Sequence, residues 1–354
     1  MGYVWIAMNT IPTIFNENIF PYTSVGGKER LAFSGISAVV LNRPPLARKS
    51  FFQEIEKVGF DNVISIESNS PRYNIEELSS RFPFVRFILP GKTLNLGEQI
   101  NLAALEVQSE LFFVLRSDMK IIAGGTARRM AERLIVNLEE LKNKEESVKP
   151  VLKSKRLCTV PVLMNSNYEV FPSIVVPLTQ RRKIHPAFLP SHLEGELSLY
   201  PFDGAGIYEK ERFIKIGGYD ISLNNTHWQL MDFGFRAYLW GEEIALSLQT
   251  KLSYDGELPV ETITIDEDYR KFYLKNLAPI FNANKVCSDK DSPDDKSHGY
   301  AYLPLYRFLS FLHNSGEGAF SAWKEFNANK KWIDENKFNF KCDARDVVKK
   351  WEKQ

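Results

Sequence analysis

The sequence predicts an α/β fold with a mixed, mainly parallel central sheet flanked by helices, on three observations. From residue 36 onward, short apolar runs of strand character alternate with segments whose apolar residues recur at helical spacing. The units are short, so the crossovers are right-handed and most strands run parallel. Three strand ends then carry polar groups: Asn42-Arg43, Glu67 to Ser70, and Arg116 to Asp118. In such sheets the ligand sits at the carboxyl ends of the strands, which places these three segments along one rim.

The elements follow in order. "ISAVVL" (36–41) is a β-rich run closed by Asn42-Arg43-Pro44-Pro45, and Ala47, Phe51, Ile55 and Val58 then mark a helix. "NVISI" (62–66) is the next strand, followed by "ESNSPRY", which contains Asn69. Asn74 with Glu77 resembles a capping box opening a helix that carries Leu78 and Phe82. "FVRFIL" (84–89) is the third strand; Leu96, Ile100, Ala104 and Val107 form the next helical face; "LFFVL" (111–115) is the fourth strand. A long amphipathic helix through Met130, Leu134, Leu138 and Leu141 precedes a strand at 157–164. Residues 165–197 are punctuated by proline, show little periodicity and read as a long irregular loop, the kind that often carries function. Its Arg181, Arg182 and Lys183 suit either a phosphate contact or a solvated loop. A helix with Leu230, Phe233, Ala237 and Trp240 on one side ends at Gly241 and leads to the strand "IALSL". Asp266 and Asp268 read as acids at a helix N-terminus, where the macrodipole favours them. We divide the chain into residues 1–255, the sheet-bearing domain, and 256–354, a mostly helical C-terminal extension.

Bulk properties narrow the function. The 354 residues carry 45 Lys and Arg against 44 Asp and Glu, so no global charge attracts nucleic acid. The three cysteines, Cys158, Cys287 and Cys342, form no CxxC pair or Cys/His cluster, which argues against zinc and fits a reducing compartment. The first twenty residues lack a basic n-region and a long apolar run, and no window offers about 18 apolar residues for a membrane span. A cytoplasmic protein is expected. The basic, tryptophan-bearing tail at 321–354 suits either contact with an anionic lipid surface or a packed terminal helix.

Six segments carry a family resemblance: "SAVVLN", "ISIESNS", "LGEQINLAAL", "FFVLRSD", "DGAGIYEKERFIKIGGYD" and "QLMDFGFR", in that order over roughly residues 36 to 250. The ordered set resembles the A-type (GT-A) glycosyltransferase fold, and within it the family 2-like enzymes. The resemblance implies a nucleotide-diphospho-sugar donor, a hydroxyl acceptor on a glycan, a lipid-linked saccharide or a protein, and transfer with inversion. It implies that Glu67 reads the nucleobase edge, that Asn101 lies where the nucleotide-sugar is held, and that Asn42, Arg43, Asn69, Arg116 and Ser117 complete the donor site. It implies that Asp118, second acid of the Asp-x-Asp motif, binds a magnesium or manganese ion. Gly217, Gly218, Tyr219 and Asp220 match the turn shaping the sugar and acceptor pocket, with Gly204, Trp228 and Arg236 beside it.

Two positions depart from the pattern. Arg116 replaces the first acid of Asp-x-Asp, and Gln229-Leu230 replaces a Glu-Asp pair whose Asp serves the family as general base. A guanidinium forks onto phosphate oxygens and keeps its charge, so Arg116, helped by Arg181, Arg182 and Lys183, could take over part of the metal's work. Alternatively Arg116 pairs with Asp118 and abolishes metal binding. The candidate bases are Asp232, His227 and Asp203, since an acceptor hydroxyl needs a proton acceptor within hydrogen-bond reach. Two other functions are weighed: a GT-A scaffold kept as a non-catalytic binding module, and a sugar-phosphate nucleotidyltransferase. The second lacks a glycine-rich loop after the first strand, where the chain reads "NRPPLARKS".

Overall fold

The computed structural model of the chain describes residues 21–43, 48–68, 75–123, 125–134, 156–180, 183–255, 259, 263, 264, 266–281, 300–302 and 319–352. Nine strands form its main sheet: β1 (Tyr22–Gly26), β2 (Ile36–Leu41), β3 (Val63–Ile66), β4 (Val85–Pro90), β5 (Leu111–Arg116), β6 (Met119–Ala123), β7 (Arg156–Met164), β10 (Gly206–Glu209) and β11 (Glu243–Tyr254). Across the sheet the order is β1-β4-β3-β2-β5-β10-β7-β11-β6. Strands β2, β3, β4, β5, β7 and β11 run one way; β1, β6 and β10 run against them. The sheet is therefore the mixed, mainly parallel one that the alternation of elements predicts.

Helices cover both faces. On one side lie α1 (Arg48–Val58), α2 (Ile75–Arg81) and α4 (Ala127–Leu134), whose Phe52, Leu78 and Met130 join Ala38, Val85 and Phe113 in one core. On the other lie α3 (Leu96–Glu106), α5 (Lys210–Lys215) and α6 (Thr226–Leu239), whose Ile100, Phe213 and Phe233 join Val39, Ile64 and Val114. This division follows from strand geometry, because successive residues of β2 face opposite sides of the sheet. Burial on both faces makes "ISAVVL" a fully buried run.

Order along the chain fixes a crevice. β2, β3 and β4 proceed outward in one direction, and the chain then returns to place β5 on the other flank of β2. Strand order reverses between β2 and β5, and ligands of open α/β sheets bind outside the carboxyl ends at such a switch point. Leu41 lies opposite Arg116 in the parallel β2–β5 register, so the two strand ends are level.

The region 165–197 departs from the expected irregular loop. It contains a hairpin of β8 (Ile174–Gln180) and β9 (Lys183–Leu189), paired from Ile174↔Leu189 to Gln180↔Lys183. The prolines mask it in the sequence, yet Pro177 and Pro186 face one another in the ladder of a two-stranded sheet, where edge positions tolerate proline. The capping residue expected at Asn74, and Leu138 and Leu141 of the expected long helix, lie outside the described residues.

Beyond β11, α7 (Glu267–Phe272) opens on Asp266, whose side chain accepts from the Tyr269 amide. It continues as a π-helical turn, Tyr273–Leu277. A short β12–β13 ribbon (Pro279–Phe281, Tyr300–Tyr302), α8 (Ala319–Asn336) and α9 (Ala344–Lys349) follow. These elements pack on α6: Trp240 stacks on Trp332 at 6.2 Å between centroids, and Trp351 meets Tyr238 edge-on at 4.9 Å. Among the described residues no helix is long and apolar enough to cross a membrane.

One contact joins α3 to the later motifs. Gly97, in the first turn of α3, donates its amide to Gln229 Oε1 at 2.8 Å. A Cβ at Gly97 would lie 2.6 Å from the Gln229 amide carbon and from Tyr219 Cβ. We expect Gly97→Ala to destabilise the protein by about 1–3 kcal/mol through overpacking, measured as a lowered urea midpoint with an unchanged m-value.

Candidate functional site

The switch-point crevice gathers its polar residues from four separate elements. Arg43 follows β2, and its amide donates to Ser117 Oγ at 2.8 Å. Asp118 follows β5. Arg43 Nη1 donates to Asp118 Oδ2 at 2.9 Å, and Arg43 Nη2 donates to Asp203 Oδ2 at 3.1 Å. Arg116 makes a fork onto the same Asp203, Nη2 to Oδ1 at 2.6 Å and Nε to Oδ2 at 3.2 Å. The Tyr254 hydroxyl, at the end of β11, donates to Asp203 Oδ2 at 3.2 Å. Burial, and then the neighbouring Asp203 carboxylate, push the Tyr254 phenol well above its usual range, so it stays a donor.

Asp203 reaches this point because β10 is antiparallel to β5. Gly206, first residue of β10, pairs with Val114 near the end of β5, so the turn Phe202–Gly204 just before it lands beside Arg116. Asp203 itself lies in the left-handed region, φ 52°, followed by Gly204 at φ 72°. Aspartate tolerates that region better than most side chains, at a cost that surrounding contacts must meet. The Tyr208 hydroxyl donates to Gly204 O at 2.8 Å and pins the turn from below.

Further along the rim, Glu67 accepts from Asn42 Nδ2 at 3.0 Å and from Ser65 Oγ at 2.7 Å. It is buried at the end of β3 with its carboxylate held by these donors. Asn42, Arg43, Glu67, Arg116, Ser117 and Asp118 thus come together along one rim, and Asp203 and Gly204 join them from the turn before β10. Asn69, Arg181 and Arg182 lie outside the described residues, and Lys183 begins β9. The pairing of Arg116 differs from the alternative read in the sequence: its partner is Asp203, while Arg43 takes Asp118.

The other expected site residues occupy the interior. Gly217 and Gly218, both at positive φ, end α5 with amide bonds to Ile214 O and Phe213 O. That turn drives Tyr219 into the core, stacked on Phe233 at 4.2 Å. Asn101 clasps the Tyr219 backbone, donating to its carbonyl at 2.8 Å and accepting from its amide at 2.9 Å. His227 is buried in the first turn of α6 against Trp228, whose indole N–H donates to Thr264 O at 2.6 Å. Asp232 is wholly buried and accepts from Arg236 at 2.7 Å and from Asn276 Nδ2 at 2.7 Å. Lys275, on the π-helical turn, sits between Asp220 and Asp232 and under the Trp332 ring at 4.4 Å. Gln229 donates to Asp220 O and Asn95 Oδ1. Of the three candidate bases, Asp203 alone joins the rim cluster; the surroundings of Asp232 and His227 are those of core residues.

The donor set can be tested against a divalent cation. Such ions take several oxygens, supplied by carboxylates, phosphates and water. Asp118 Oδ1 is buried and meets no hydrogen-bond donor among the described residues. It is a single oxygen, and the guanidinium of Arg43 already stands against its sister. Both oxygens of Asp203 are occupied by Arg43, Arg116 and Tyr254. Among the described residues no three His, Cys, Asp or Glu side chains form a metal-binding group. Among the described residues, protein oxygens alone do not make up a metal site here, and the guanidinium groups of Arg43 and Arg116 supply the positive charge.

No protein-family model matches the chain, and no curated protein matches it. Solved structures resemble it at low identity. GalNAc-T7, crystallised with UDP, GalNAc and Mn2+, is 12% identical with a TM-score of 0.47, over 87% of this chain and 57% of that one. TarS of S. aureus is 12% identical with a TM-score of 0.43, over 68% of this chain and 38% of that one. TarS 1–349 in complex with UDP is 12% identical with a TM-score of 0.42, over 68% and 63%. This chain therefore spans little more than half of the first of these proteins and about two-fifths of the second. Strand order and switch point describe an open, mixed, mainly parallel α/β sheet with helices on both faces.

The buried charges make a pH prediction. Burial alone would raise the Asp220 pKa, but Lys275 beside it outweighs burial and holds the carboxyl well below the usual range. A depressed folded-state pKa stabilises above the unfolded value of about 3.9, and that contribution is lost as pH falls through the folded value. We expect Asp220→Asn to cost about 3 kcal/mol at neutral pH and to flatten the fall in stability below about pH 4. Thermal unfolding across a pH series reads both effects.

Proposed function

We propose that this chain is a nucleotide-diphospho-sugar transferase, binding its donor in the β2–β5 crevice and passing the sugar to a hydroxyl on a glycan, lipid-linked or protein acceptor. The observation that carries the reading is the convergence of Arg43 and Arg116 from two adjacent strand ends at the switch point of the sheet. Guanidinium forks match phosphate oxygens and hold their charge at any physiological pH. Glu67, one strand further along and hydrogen-bonded to Asn42, is the carboxylate we assign to the nucleobase edge.

The chemistry follows from the charges. The bond between the anomeric carbon and the diphosphate oxygen breaks, and its electron pair leaves with the nucleoside diphosphate. The acceptor oxygen forms the new bond to that carbon from the opposite face, and its proton passes to a base. Arg43 and Arg116 offset the negative charge growing on the leaving diphosphate, which is electrostatic stabilisation by groups already in place. Inversion follows from the single displacement.

A second reading has its own observation. Gln229 and Leu230 stand where the resemblance expects two acids, and both are wholly buried, Gln229 held by Gly97, Asn95 and Asp220. A nucleotide-sugar binding module without turnover would have this pattern.

Thermal-shift titration with UDP, GDP, ADP, CDP and their common sugar conjugates tests the proposal, and stabilisation by none of them overturns it. We expect Glu67→Gln to weaken the best nucleoside diphosphate about tenfold, the worth of one charge-assisted hydrogen bond, and to leave inorganic pyrophosphate unaffected. Release of free sugar or a glycosylated product from the best donor separates a transferase from a binding module.

A further inference from the structure

Asp203 is the most heavily committed carboxylate on the rim. Five hydrogen bonds from Arg43, Arg116 and Tyr254 converge on its two oxygens. Arg43 Nη2 makes two of the five, so four donor atoms take up the roughly four lone-pair sites that a carboxylate offers. It also faces two guanidinium charges with a single charge of its own. A diphosphate carries more oxygens and more negative charge, and it would satisfy two forks better. Its approach is open, because about a third of the Arg43 side chain is exposed whereas Asp203 is buried behind it.

Backbone geometry points the same way. Asp203 is one of two non-glycine residues at positive φ among the described residues, the other being Tyr168 on an exposed turn. Side chains rarely adopt this conformation, and surrounding contacts must meet its cost.

We propose that Asp203 is an internal stand-in for the donor's diphosphate: it holds Arg43 and Arg116 in the unliganded protein and yields them to a nucleoside diphosphate, which binds without a divalent cation. This rests on the nucleotide-sugar reading above and adds to it the cation independence and the displaced carboxylate. Asp118 then has a task other than metal binding. Its Oδ1, buried and without a donor among the described residues, accepts a hydroxyl from the ribose or the sugar.

Isothermal titration of the full chain with inorganic pyrophosphate and with UDP, GDP, ADP and CDP, in EDTA and again in manganese, tests this. We expect wild-type protein to bind at least one nucleoside diphosphate equally well in EDTA and in manganese. Asp203→Asn should bind pyrophosphate and that nucleotide at least about tenfold tighter, because the competing charge is gone. Arg116→Ala should weaken both by at least about tenfold. Binding that requires manganese overturns the inference and leaves the transferase reading standing, and so does unchanged or weaker binding by Asp203→Asn whose near-ultraviolet circular dichroism matches wild type. The EDTA comparison on wild-type protein decides the cation question even if the variant fails to fold. Absence of binding to every nucleotide under both conditions removes the transferase reading and the inference with it.

Discussion

The antiparallel strand β10 determines where the chemistry of this molecule sits. Were β10 parallel to β5, its preceding turn would lie at the far edge of the sheet and Asp203 with it. Because it runs against β5, the turn Phe202–Gly204 arrives at the carboxyl rim, level with Arg116. Three chain segments far apart in sequence therefore meet at a point fixed by sheet hydrogen bonds. The turn is supported in series: Asn101 clasps the Tyr219 backbone, the Tyr219 and Tyr208 hydroxyls lie 2.8 Å apart, and Tyr208 donates to Gly204 O. The two tyrosine links are buried, where an unmade hydrogen bond is costly, so the position of Asp203 is inherited from the core.

A second set of charges lies beneath the rim and has a different role. Asp220, Asp232, Arg236 and Lys275 form a neutral buried group joining the Gly-Gly-Tyr-Asp turn, α6 and the C-terminal elements. Buried ion pairs contribute little net stability, but breaking one is expensive. Their effect here is registration: Lys275 reaches Asp220 only when its π-helical turn docks against α6, and Trp332 closes over it. The motif residues that look most like a pocket in the sequence thus hold the C-terminal elements against the sheet domain.

The sheet and its rim were legible because they depend on local signals. Apolar runs of five or six residues, helical spacing between them and polar strand ends are written in consecutive residues. Asn42, Arg43, Glu67, Arg116 and Asp118 follow from that reading alone. What the sequence hides is pairing across distance. Nothing near Arg116 says that its partner lies 87 residues away rather than at Asp118. Nothing in "GGYD" distinguishes a turn that lines a pocket from one that drives Tyr219 inward, since both need the same two glycines. The β8–β9 hairpin was hidden for a simpler reason: opposed prolines in a two-stranded ladder break the alternation rule without breaking the ladder.

The charge inventory at the crevice gives the pattern of substitutions a physical logic. A divalent cation that assists a departing diphosphate can leave with it, so the empty site need hold no excess positive charge. An arginine can neither depart nor lose its proton. Under the proposed function, a site that relies on Arg43 and Arg116 in place of a cation carries two fixed charges between turnovers, in a setting where uncompensated charge is costly. A counter-charge must be built in. Asp118 supplies one, through Arg43, and Asp203 supplies the other, through both arginines. An acid that only neutralised could sit anywhere nearby in relaxed backbone. One that must give way to a ligand is better placed on a short turn, in a conformation the chain does not prefer by itself. Arg116 in place of an acid, and Asp203 at positive φ, are then two parts of one arrangement.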